Sequence, residues 1–96
     1  MNINRTDDGN TVTLTLEGWL DTQAAPDLEA ALNDIGDGFS SMVIDCANLE
    51  YISSSGIRQI VAAHKQMNGN CTLKNVSSEI MNVFKMIGLT KRIKIE

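Results

Sequence analysis

Between Thr11 and Glu17 the chain alternates without a break: Val12, Leu14 and Leu16 are apolar, and Thr11, Thr13, Thr15 and Glu17 are polar. A period of two marks a β-strand with one buried face and one face toward solvent. This constrains everything downstream, because helices that cover such a sheet must gather on its apolar side. Ile3 lies before it, across the turn signal Asp7-Asp8-Gly9-Asn10, so the chain is expected to open with a hairpin.

The spacing then changes. Gly18 to Asp21 reads as a loop, and Leu28, Ala31, Leu32 and Ile35 follow the i, i+3, i+4, i+7 pattern of a helix. Thr22 is a candidate cap for this helix. Pro26 suits its first position, Asp27 and Glu29 complement the dipole, and Gly36 and Gly38 end it. A second helix runs from about Ser54 to Asn68 with Ile57, Ile60, Val61 and His64 on one face. A third starts near Ser77 or Ser78, presents Ile80, Val83, Phe84 and Ile87, and stops at Gly88.

Strand candidates separate these helices at residues 41–46, 70–74 and 92–95. In and just before the last of them Lys91, Arg92 and Lys94 accompany Ile93 and Ile95, as in an edge strand guarded by charge. The predicted order is β-β-α-β-α-β-α-β. Right-handed crossovers along a simple progression wind all the helices onto one face. The fold class is therefore α/β: a mixed, mostly parallel sheet of about five strands with helices on one face, in a single domain over residues 1–96.

A composition of 43% apolar and 21% charged residues suits one globular domain, and no apolar run is long enough to cross a bilayer. The N-terminus carries no secretory signal pattern, so a cytoplasmic location is expected. A net charge of −4 argues against non-specific nucleic-acid binding, which needs a basic footprint. Cys46 and Cys71 form no C-x-x-C pair, and His64 is the only histidine. Neither a zinc site nor a redox dithiol follows, and no cofactor or metal is expected. Both cysteines read as reduced core residues, and His64 as a satisfied core or boundary histidine.

The chemistry concentrates where the third strand candidate meets the second helix, at Ser53-Ser54-Ser55-Gly56. Successive residues at a helix start point about 100° apart, so the three serines divide between capping, packing inward and facing solvent. Ser54 could be a simple cap or an exposed hydroxyl beside free N–H groups, where adding phosphate would change the local field sharply. Gly56 would let a partner's backbone approach the serines. Arg58 should face outward, either toward an acidic partner or merely into solvent. Trp19 would either anchor a partner or pack on the hairpin.

Two separated motifs resemble those of the STAS domains, and within them the small bacterial anti-sigma factor antagonists. One is Leu16-Glu17-Gly18-Trp19-Leu20-Asp21 followed by a helix, similar to a strand ending in Gly-x-Leu-Asp. The other is Val43-Ile44-Asp45 with Ile52-Ser53-Ser54-Ser55-Gly56-Ile57, similar to the family's strand, loop and Ser-Ser-Gly helix start. Phe84-Lys85-Met86-Ile87-Gly88-Leu89 is similar to its third-helix ending, so the resemblance spans the chain.

The resemblance implies a protein-binding domain with no catalytic activity. Its partners would be a serine-kinase anti-sigma factor, which also phosphorylates it, and a cognate phosphatase. No nucleic-acid contact and no membrane insertion are expected, with a monomer or weak homodimer as the state. The acceptor would be Ser54, with Ser53 as the alternative because Ser53 stands where an aspartate often precedes the acceptor. Asp21 would come near the serine loop and orient a hydroxyl, the competing role being a solvated or helix-capping aspartate. The docking surface would comprise Trp19, Asp21, Ser53, Ser54, Ser55, Gly56 and Arg58. A scaffold or transporter-associated subunit with an unmodified serine is the second reading, and an enzyme built on His64 or Asp21 the third. Family members usually continue into a further helix after the last strand, so apolar surface left uncovered here would be covered by a second copy or a partner.

Overall fold

The computed structural model describes all 96 residues. Strands β1 (Asn2–Asp8) and β2 (Thr11–Leu20) form the opening hairpin, and helix α1 (Ala25–Asn33) leads to β3 (Ser41–Ile52). Helix α2 (Ser54–Gln66), β4 (Cys71–Lys74), α3 (Ser78–Met86), a 3₁₀ turn (Leu89–Lys91) and β5 (Lys94–Ile95) complete the chain. The five strands lie in sequence order, β1-β2-β3-β4-β5. Only β1 runs antiparallel to its neighbour. The predicted order and one-sided cover are those observed.

The alternation in β2 sorts its side chains as expected. Val12, Leu14 and Leu16 are fully buried and join Met42, Ile44 and Cys46 of β3 and Cys71 and Leu73 of β4 on the helix-covered face. Leu28 and Leu32 of α1, Ile60 and Ala63 of α2, and Ile80 and Phe84 of α3 close this single core from above. The other face carries Thr11, Thr13, Thr15, Val43, Asp45 and Thr72, all only half-buried. Arg5 ties the hairpin to the end of α1: it pairs with Asp7 at 2.9 Å and donates to the Asp34 carbonyl at 3.2 Å.

Several boundaries differ from the expectations. Residues 18 to 20 are not loop but the last part of β2, and β3 continues to Ile52 instead of stopping at Cys46. The two strand ends pair in parallel from Glu17↔Asn48 to Leu20↔Ile52, with register shifts between Thr15 and Glu17 and between Gly18 and Trp19. Each shift places an extra residue in β3, which erases the period of two that would have revealed the strand.

Helix α1 begins at Ala25, so Pro26 occupies its second position and Thr22 does not cap it. In α2 the buried line is Gly56, Ile60, Ala63 and Met67, whereas Ile57, Val61 and His64 are only half-buried along its flank. In α3 Ile80 and Phe84 are buried but Val83 and Ile87 are exposed. The expected final strand, residues 92–95, shortens to Lys94–Ile95, since the N–H groups of Arg92 and Ile93 both donate to the Leu89 carbonyl and close the 3₁₀ turn.

Candidate functional site

The C-terminal ends of β2 and β3 bring the two motifs together. Leu20 pairs with Ile52, and the Leu20 carbonyl accepts the Ser53 N–H at 2.9 Å, which sets Asp21 and Ser53 side by side where both strands leave the sheet. In an open parallel sheet this rim is where ligands and partners meet the protein. The long parallel pairing of residues 17–20 with 48–52 is therefore what assembles the site.

The three serines divide as the helix geometry requires. Ser53 has extended backbone and is the N-cap of α2, its Oγ accepting the Gly56 N–H at 3.2 Å. Ser55 is half-buried. Ser54, at the first helical position, is exposed and its hydroxyl has no hydrogen-bond partner in the chain. As at any helix start, the N–H groups of Ser54 and Ser55 lack an intrahelical acceptor, and the positive end of the dipole lies among them.

Asp21 turns the other way. Its Oδ1 accepts the Ala24 N–H at 2.9 Å and its carbonyl accepts the Ala25 N–H at 2.9 Å, so it holds the turn into α1. It makes no hydrogen bond to a serine, and the role the structure shows for it is the helix turn. Gly56 also differs from the expected role. It is buried, and a Cβ built there would lie 2.6 Å from Leu20 Cγ and 2.7 Å from the Leu20 carbonyl oxygen. Its missing side chain lets α2 sit against the sheet and does not open room for a partner's backbone. Arg58 is exposed one turn after Ser54, as expected.

Trp19 does not pack into the hairpin. It is 58% exposed, and Tyr51, its register partner on β3, is 47% exposed. Their rings lie 5.4 Å apart at an interplanar angle of 42°. The pair stands next to the serine rim and forms an exposed aromatic surface of the kind that anchors protein contacts. Tyr51 was not singled out from the sequence, because only the bulged register places it beside Trp19. Glu17 and Glu50 line a shallow groove next to the pair. His64 is half-buried on α2, its carbonyl accepting the Gly69 N–H at 2.9 Å.

The family match is decisive: the STAS domain description fits residues 2–96. The chain belongs to the STAS domain family. Among solved structures, this STAS domain is similar to an anti-sigma factor antagonist from Mycobacterium paratuberculosis, with a TM-score of 0.88 and 20% identity over 98% of this chain and 83% of that one. It is similar to the anti-sigma factor antagonist SpoIIAA in its unphosphorylated form, with a TM-score of 0.77 and 18% identity over 99% of this chain and 87% of that one. It is also similar to a sulfate transporter family protein from Wolinella succinogenes, with a TM-score of 0.72 and 14% identity over 88% of this chain and 76% of that one. At these identities the likeness is one of fold. No curated protein matches the sequence significantly. No helix is long and apolar enough to cross a membrane.

Proposed function

We propose that this chain, as a single STAS domain, is a cytoplasmic anti-sigma factor antagonist. Unphosphorylated, it binds a serine-kinase anti-sigma factor and so frees a sigma factor for transcription. Ser54 is the phosphate acceptor in this reading, and a cognate phosphatase reverses the modification. The observation that carries the proposal is the exposed, unengaged hydroxyl of Ser54, next to a Ser53 whose hydroxyl is already committed as the cap. SpoIIAA, a protein of the same fold, has structures in unphosphorylated and phosphorylated forms.

The chemistry is supplied by the kinase. A bond forms between Ser54 Oγ and the γ-phosphorus of ATP, the β–γ bridge breaks, ADP leaves, and the hydroxyl proton passes to a base on the kinase. The product carries close to two added negative charges. The free N–H groups at the start of α2 stabilise them locally, while the docking surface gains charge and bulk that oppose the partner. Trp19 and Tyr51 supply the aromatic part of that surface.

Incubation with a serine-kinase anti-sigma factor and ATP, followed by intact-mass analysis, tests the proposal. One phosphate is expected on the wild type and on Ser53→Ala, and none on Ser54→Ala. In pull-downs Ser54→Asp should lose the kinase and Ser54→Ala retain it. A wild type that gains no mass while staying bound to a membrane transporter would favour the second reading, a transporter-associated STAS subunit. The likeness to the sulfate transporter family protein motivates that reading.

A further inference from the structure

Charge is divided unevenly along the chain: residues 1–52 hold ten carboxylates against Arg5, and residues 53–96 hold seven cations against Glu79 and Glu96. Because the strands lie in sequence order, this division becomes a division across the molecule, with an acidic β1–β2 side and a basic β4–β5 side. Two copies are therefore complementary in charge when the acidic side of one faces the basic side of the other.

The basic side contains a built groove. Ile57, Arg58, Val61 and Lys65 on the flank of α2, together with Arg92 after the 3₁₀ turn, line a depression of about 400 Å³. Its walls hold three cations and no carboxylate. The three ion pairs of the structure are Arg5–Asp7, Lys74–Glu96 and Lys94–Glu96, so Arg58, Lys65 and Arg92 have no ionic partner within the chain. Ile57 and Val61, one turn apart, give this basic surface an apolar strip outside the buried line of α2.

The acidic side holds its counterpart. Trp19 and Tyr51 are exposed, and Glu17 and Glu50, each within two residues of an aromatic, line one shallow groove that contains no cation. One surface is thus apolar with basic edges and the other aromatic with acidic edges, and both belong to the same molecule.

We infer that the Trp19–Tyr51 surface of one copy docks on the α2 groove of a second copy. The aromatic rings seat on Ile57 and Val61, and Glu17 and Glu50 meet Arg58, Lys65 and Arg92. A two-fold that brings both pairs of surfaces together closes the contact into a dimer, and a head-to-tail arrangement extends it into short chains of copies. Rim charges make it sensitive to salt. The contact covers Trp19 and competes with any partner that uses the same aromatic surface.

Sedimentation over a wide concentration range tests the inference. The wild type should gain average mass with concentration and lose that gain in high salt. Arg58→Glu/Arg92→Glu and Glu17→Lys/Glu50→Lys should each associate about tenfold more weakly or worse, since like charges then face one another. Mixing the two variants restores opposite charges at every contact and should restore association. Circular dichroism and thermal melts confirm that both variants fold.

A wild type that stays monomeric at all concentrations overturns the inference, as does association untouched by the reversals or a mixture that fails to associate. A monomeric wild type whose kinase binding is lost in Arg58→Glu/Arg92→Glu would assign the groove to the partner instead. None of these outcomes bears on whether Ser54 accepts phosphate, which the intact mass reads separately.

Discussion

Three adjacent serines meet three environments at the start of α2, and this decides what each substitution does. Ser53 satisfies the Gly56 N–H, so Ser53→Ala should cost about 1 kcal/mol of stability, read as a shift in the denaturation midpoint. Ser54 bonds to nothing in the chain, so Ser54→Ala should leave the midpoint unchanged. Ser54→Glu should raise it slightly, because a carboxylate there complements the dipole and stands four residues before Arg58, the favourable order for a helical pair. Equal losses for Ser53→Ala and Ser54→Ala would mean the cap is misassigned. The cluster was visible in the sequence, but the division of roles was not. Capping depends on which residue leaves the strand with extended backbone, and that is set by the Ser53–Leu20 hydrogen bond.

At the scale of elements, the contact between α2 and the sheet depends on Gly56. Gly56→Ala places a methyl 2.6 Å from Leu20 Cγ and 2.7 Å from a backbone oxygen that has little room to move. The expected loss is about 1–3 kcal/mol by thermal or denaturant unfolding. Under the proposed function, affinity for the kinase should fall with it, because Ser54 sits at the displaced end of α2; a variant as stable as the wild type would overturn the packing role. The helices themselves were legible from their apolar spacing. The ends of β2 and β3 were not, because two extra residues in β3 break the alternation that a sequence can show. For the same reason Trp19 could be noticed but its stack with Tyr51 could not.

Across the whole molecule, burial governs the two thiols. Cys46 and Cys71 lie in the core; desolvation foremost pushes Cys46 from the ordinary 9.0 to about 12, with Asp45 and Cys71 adding to it, and pushes Cys71 to about 11. Both are therefore neutral and unreactive in the folded protein at pH 8. A thiol reagent should label neither until denaturant unfolds the chain. Each folded value lies above the unfolded one, so the stability they contribute is complete below about pH 9. It is lost as pH rises from there toward 11 and 12. A Cys46→Ala/Cys71→Ala variant should show a shallower fall in denaturation midpoint over that range, and an unchanged slope would refute the linkage.

What the sequence determined by itself was everything that depends on local periodicity and composition: a one-sided sheet, three amphipathic helices in alternation with strands, a serine-rich helix start and an acidic total charge. Periodicity reports which face of an element is apolar, and that suffices for class and order. The tertiary structure decided what depends on register and close approach. It turned Asp21 toward Ala24, made Ser53 the cap, pressed Gly56 against Leu20, and set Trp19 beside Tyr51. Those outcomes rest on how two bulged strands align over a distance that neighbouring residues do not encode, so only the folded sheet could supply them.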